Sequence, residues 1–176
     1  MIYIVDLDDT LVSSTTLNND AYNFALEQYN FDRIITNERI TREKLNNINP
    51  IILKDIIKSK QHYFTQKWLP CRVVLNKPLI NKLILNKKEN CYLWTKADKN
   101  RASKIIDFCK LDRYFNDVLF DEKYSFDTSI SKLQELTHTN QFIIYENNKN
   151  FFHKQNCKIV DYIKTNLFDI NGYLIG

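Results

Sequence analysis

Residues 2–10 read IYIVDLDDT. The first four are apolar, three of them β-branched, and they predict a short buried strand. That strand runs straight into Asp6, Asp8 and Asp9. Carboxylates crowded at one point repel, so the arrangement is costly unless something cationic sits among them. A turn that merely caps a helix needs one acid, not three. The stretch therefore predicts a charged site at the end of a core strand.

The rest of the composition narrows what that site can be. At 176 residues, with 44% hydrophobic residues, the chain can bury one core and a small appended subdomain. No apolar run approaches the roughly 18–20 residues that span a bilayer. The first residues lack the basic segment, apolar stretch and small-residue site of a signal peptide. A cytoplasmic protein with no membrane partner is expected. Cys71, Cys91, Cys109 and Cys157 are scattered, without a CxxC pair, which argues against a zinc site or a disulfide framework. The net charge of +4 is spread along the chain and suits an anionic substrate without demanding nucleic acid. Gly172 and Gly176 are the only glycines, so neither a P-loop nor a GxGxxG dinucleotide loop can form. The bias toward Asn, Lys and Ile fits an AT-rich genome.

From about residue 13 to residue 78 the pattern is helical. Tyr22, Ala25, Leu26 and Tyr29 share a helix face, and Thr36 or Asn37 can cap a short second helix ending near Asn46. Asn49-Pro50 is a good N-cap and first-position pair for a longer helix with Leu53, Ile56, Ile57, Phe64 and Trp68 in one stripe. Pro78 begins a helix carrying Leu79, Leu83 and Ile84. Beyond Lys88 strands and helices alternate: CYLWT, a helix capped by Asp98 and running to Leu111, DVLF, a helix from Asp127 or Thr128 containing Ile130, Leu133 and Leu136, QFIIY, a short helix, and KIVDY. The alternation predicts an α/β fold, a three-layer Rossmann-like parallel sheet with helices on both faces. Ligands bind such sheets beyond the carboxyl ends of the strands. Asp6 and Asp8, Thr95, residues 121–123, and Glu146 with Asn147 all fall at that edge.

VDLDDTL in this position resembles the first motif of the haloacid dehalogenase-like hydrolases, an apolar strand followed by DxDxT. The strand ending in Thr95 is similar to the second motif, a lysine before a helix to the third, and FIIYEN occupies the fourth. The resemblance to the phosphatase branch implies that Asp6 is the nucleophile of a phospho-aspartate mechanism and Asp8 the general acid, later the general base. It implies that the Asp6 carboxylate and the Asp8 main-chain carbonyl hold Mg2+, with Glu146 and Asn147 contributing from the fourth motif. Asp8 must carry a proton to release the alcohol, so its neighbours are expected to raise its pKa. Thr95 would hydrogen-bond a phosphoryl oxygen. Lys123 is the preferred third-motif lysine, because KYSFD places it four residues before an acidic helix start; Lys132, inside that helix, is the rival. The sequence departs from the family at YENNKNF, where Asn147 stands in place of a frequent metal-binding aspartate, which predicts weaker Mg2+ binding.

The stretch from residue 7 to residue 94 is too long for a direct strand-helix-strand return. It is expected to hold a small helical cap, residues 14–77, inserted after the first strand of a core formed by residues 1–13 and 78–176. Capped relatives commonly act on small phosphorylated metabolites. Arg33, Arg39, Arg42, Lys54 and Lys58 would favour an anionic phosphorylated small molecule. A second similarity, through LNKPLINKLI before CYLWTKA, is to the branch acting on carboxy-terminal-domain phosphopeptides. A phosphoprotein or nucleic-acid-end phosphatase, or a weakened relative kept as a phosphate-binding or interaction module, are the alternatives.

Overall fold

The structure is a computed structural model and describes residues 1–67, 73–120, 126–139, 141–147 and 160–163. Strand β1 (Ile2–Val5) lies at the centre of a five-stranded parallel sheet. It pairs on one side with β4 (Cys91–Thr95) and on the other with β6 (Phe142–Tyr145). β5 (Asp117–Phe120) and β7 (Val160–Ile163) form the edges, giving the order β5-β4-β1-β6-β7.

Continuous apolar strands make sense here because both faces of the sheet are covered. Side chains alternate between two cores. Val5, Leu93 and Tyr145 face the larger one, which takes in Leu79 and Leu83 of α3 (Lys77–Ile84) and Ala102, Ile105 and Ile106 of α4 (Lys99–Phe108). Ile4, Trp94, Phe142 and Ile144 face the other, closed by Leu133 of α5 (Phe126–Thr137). This is the three-layer α/β arrangement expected from the pattern.

Two short strands, β2 (Val12–Ser13) and β3 (Val74–Leu75), pair antiparallel as a stem. Between them α1 (Thr15–Gln28) and α2 (Pro50–Lys67) pack on each other around a third cluster that includes Tyr22, Leu26, Ile40 and Ile56. No helix among the described residues is long and apolar enough to cross a membrane.

Several boundaries differ from expectation. Residues 31–41 do not form a helix capped by Thr36 or Asn37, and only a 3-10 turn, Arg42–Leu45, follows them. Side chains of α1 claim the backbone groups instead: Asn19 Oδ1 accepts from the Ile40 N–H at 2.8 Å, Asn23 Oδ1 from the Ile34 N–H at 2.8 Å, and Asn18 Nδ2 donates to the Ile40 carbonyl at 2.9 Å. Helix α4 stops at Phe108 rather than Leu111, because Lys110 takes a left-handed φ of 52° and a 3-10 turn follows. Ile84, Tyr29 and Leu136 are exposed, and Ile80 takes the inward place in α3 that Ile84 was expected to hold. Trp68 lies outside the described residues, as do the expected helix between β6 and β7 and Lys123.

Candidate active site

The chain leaves β1 toward β4 on one side and returns to β6 on the other, so the carboxyl end of β1 is a topological switch point. Asp6 is the first residue past that end. Val5 is in register with Tyr145, so Asp6 and Glu146 follow paired positions on neighbouring strands, and the Asp6 N–H donates to the Tyr145 carbonyl at 2.9 Å. Both acids are buried, Asp6 at 8% and Glu146 at 3% exposure. Thr95 closes β4, two residues beyond Leu93, which is in register with Val5. Its buried Oγ1 accepts the Ala97 N–H at 3.1 Å, which leaves the hydroxyl hydrogen available to another acceptor. The structure thus gathers Asp6, Thr95 and Glu146 at one sheet edge. Asn147 is exposed beside Glu146, and Lys132 is exposed on α5.

The turn after β1 sorts the acids by role. Leu11 and Val12 N–H groups both donate to the Leu7 carbonyl, and Asp9 adopts a left-handed φ of 60°, which aspartate tolerates better than most residues. Asp9 Oδ1 accepts the Ser14 and Thr15 N–H groups at 2.9 and 3.0 Å, so this carboxylate caps the N-terminus of α1. Asp9 is therefore a structural anchor. Asn76 ties the stem to the same turn, donating through Nδ2 to the Thr10 carbonyl at 2.9 Å while its Oδ1 caps α3 by accepting the Leu79 N–H.

Asp8 is held in a cationic clamp. Arg101 binds it in a two-pronged ion pair, Nη1 donating to Oδ1 at 3.0 Å and Nη2 to Oδ2. Ser14 Oγ donates to Oδ1, and Arg39 Nη2 lies 3.7 Å from the same oxygen. Arg39 Nη1 meanwhile donates to Asp9 Oδ2 at 2.6 Å and to Ser14 Oγ at 2.9 Å. Burial alone would push the Asp8 carboxyl up, but the combined pull of Arg101 and Arg39 outweighs it and holds the group well below the usual carboxylate range. The expectation of a raised pKa is thus overturned: in this arrangement Asp8 is a carboxylate.

Arg39 comes from the insert, and the α1 asparagines that pin residues 34–40 are what place it. The other expected cations of the insert lie elsewhere. Lys54, Lys58 and Arg42 are exposed, and Arg33 pairs with Glu27 on the surface.

Two buried cations escaped the sequence reading. Arg101, only 4% exposed, sits on the inward stripe of α4 with Ala102 and Ile105, one turn past the cap Asp98. Lys60, 5% exposed, lies between Ile56 and Phe64 on the buried face of α2. A cation interrupting an apolar stripe at i, i+4 spacing was the available signal in both.

The donor chemistry of this edge fits a hard divalent cation. Asp6 and Glu146 supply carboxylate oxygens, and main-chain carbonyl and amide oxygens can complete such a set. The Asp8 carboxylate is engaged by guanidinium groups, so only its carbonyl is suited to metal binding. Among the described residues no cluster of three or more His, Cys, Asp or Glu side chains forms a ready-made metal site.

No protein-family model matches the chain, and no curated protein matches it in sequence. Solved structures do match in shape. A haloacid dehalogenase-like hydrolase from Streptococcus pneumoniae superposes with a TM-score of 0.70 at 15% identity, covering 85% of this chain and 77% of that one. A family IA hydrolase from Entamoeba histolytica gives 0.68 at 16% identity, over 84% and 76%. CbbY from Rhodobacter sphaeroides, solved in complex with phosphate, gives 0.61 at 16% identity, over 85% and 80%. The sheet order, the insert after β1 and these superpositions together show that the chain has the haloacid dehalogenase-like fold.

Proposed function

We propose that the protein is a Mg2+-dependent phosphomonoesterase that works through a phospho-Asp6 intermediate on a small phosphorylated metabolite, with residues 14–77 as its cap. The observation that carries this reading is the convergence of buried Asp6, Thr95 and Glu146 at the switch point, with Asp8 beside them.

In the first half-reaction an Asp6 carboxylate oxygen attacks phosphorus, the ester P–O bond breaks, and the leaving oxygen takes a proton from Asp8 and departs as the alcohol. In the second, Asp8 takes a proton from water as the water attacks the aspartyl phosphate, which frees inorganic phosphate and restores Asp6. Mg2+, when bound by the Asp6 carboxylate, the Asp8 carbonyl and Glu146, with Asn147 as a neutral oxygen donor, offsets the charge of nucleophile and phosphate. Thr95 Oγ1 donates its free hydrogen to a phosphoryl oxygen, and a third-motif lysine, Lys123 in preference to Lys132, adds a positive charge. The arriving phosphate draws on Arg101 and Arg39, and its negative charge raises the Asp8 pKa toward the value an acid needs.

Release of an aryl alcohol from a generic aryl phosphate, with Mg2+ and with the Asp6→Asn variant as control, tests the reading. Mg2+-dependent turnover that vanishes in the variant is expected. A panel of phosphometabolites, a phosphopeptide and a 3′-phosphorylated DNA then identifies the class. Phosphate binding without turnover of any ester would point instead to a binding module.

A further inference from the structure

We infer that Lys60 is a substrate-selecting residue, and that the ester hydrolysed here carries a second anionic group, a carboxylate or another phosphate, which Lys60 binds at the junction of insert and sheet. The inference rests on the proposed phosphatase reading and concerns the part of the substrate remote from the transferred phosphoryl group.

The ammonium of Lys60 lies 4.9 Å from the centroid of the Tyr22 ring and 5.4 Å from that of Phe64. The Arg101 guanidinium lies 4.7 Å from the same Phe64 centroid, so one aromatic ring of α2 carries a cation from the insert and a cation from α4. Among the described residues Lys60 has no ion-pair partner and donates no hydrogen bond. The acid it feels, Asp8, is already held by Arg101 and Arg39. Asp9 is engaged by α1 and Arg39.

Lys60 is therefore left without an acid of its own at this point, since Asp8 and Asp9 are both engaged. Burying an ammonium without a counter-ion is costly, and the aromatic faces recover only part of that. Burial and the neighbouring arginines push the Lys60 ammonium down to about 7, the direction expected of a cation lacking an anion. An apolar residue would fill the Ile56–Phe64 stripe of α2 more cheaply. A substrate with one phosphate for the Asp6 edge and a second anion for Lys60 would satisfy both centres at once. It would also draw the insert and the sheet together.

The test uses Asp6→Asn protein, which binds esters without consuming them, and calorimetric titration with alkyl monophosphates of equal length. One set ends in a hydroxyl, another in a carboxylate, another in a second phosphate. At least tenfold tighter binding of one anionic set over the hydroxyl set is expected, and that ratio should fall to near parity in Asp6→Asn/Lys60→Met. Equal binding of all three sets, or a ratio that survives Lys60→Met, overturns the inference. The comparison among esters needs no Lys60 variant, so it stands even if that variant folds poorly. If wild-type protein turns over aryl phosphate through Asp6 while the ratio is absent, the selectivity inference falls alone. If the ratio is present and no ester is turned over, the phosphatase reading falls and the dianion site remains.

Discussion

Arg101 grips Asp8 through both terminal guanidinium nitrogens, from the first turn of α4 to the turn after β1. The pair joins two segments far apart in sequence. It also holds Asp8, the proposed proton-transfer residue, well below the usual carboxylate range.

Arg101→Met should leave Asp8 buried with only Arg39 and Ser14 and destabilise the protein by roughly 3 kcal/mol, as broken buried pairs do. Arg101→Lys should recover little, because an ammonium cannot reproduce the fork. Urea unfolding measures both. The same pair has a pH signature. The folded-state pKa of Asp8 is depressed, so the unfolded chain binds more protons and stability rises with pH through this range. The contribution is fully present above the unfolded value near 3.8 and is lost as pH falls below it. Wild type should therefore lose more stability than Arg101→Met on acidification from pH 5. Parallel curves would show that Asp8 is not coupled to Arg101.

The clamp also bears on chemistry. The clamp opposes protonation of Asp8, so a leaving alkoxide must wait for the protonated form, whereas an aryl oxide departs without a proton. Aryl phosphates should therefore be turned over faster than alkyl phosphates, by a factor on the order of 100, the usual size of a general-acid contribution. The gap should narrow in Arg101→Met, where Asp8 protonates more readily. Equal rates for the two ester classes in wild type would mean that Asp8 is protonated before the bond breaks.

Asp6, Thr95 and the sheet were legible because each depends on local signals: β-branched runs, strand-end polar residues, and order along the chain. The course of residues 31–41 was not, since three asparagines of α1 decide it from a distance and their side-chain bonds leave no periodicity of their own. The Asp8 clamp was hidden for a related reason. Asp8 and Arg101 share no local spacing, and only the packing of α4 against the switch point brings them together. Asp9 is the converse case: its place after Asp6 and Asp8 suggests a helix-start group turned away from them, and it does serve the α1 terminus.

Glu146 and Asn147 are adjacent but differently placed, one buried and the other exposed. Glu146→Gln should weaken Mg2+ binding roughly 10- to 100-fold in a calorimetric titration, since a hard cation loses a buried anionic oxygen near Asp6. Asn147→Ala should stay within about threefold of wild type, because a neutral exposed amide contributes little charge to such a site. If the two variants bind Mg2+ equally well, the metal is held by other residues.

The final expectation concerns how Arg39 is kept over Asp8 and Asp9. Asn19 bonds both directions of the loop that carries it, accepting the Ile40 N–H at 2.8 Å and donating to the Glu38 carbonyl at 2.7 Å. It is nearly buried, so Asn19→Ala leaves those backbone groups unpaired and should cost about 1–3 kcal/mol. Hydrogen exchange at the Ile40 amide should accelerate by the corresponding factor, while the first turn of α1, still capped by Asp9, keeps its protection. Asn37→Ala, at an exposed position in the same loop, is the control and should change neither quantity. Fast exchange confined to Ile40 would show that the asparagine holds the loop and, through it, the arginine. Uniform acceleration across α1 would mean that Asn19 supports the helix rather than the Arg39 contact.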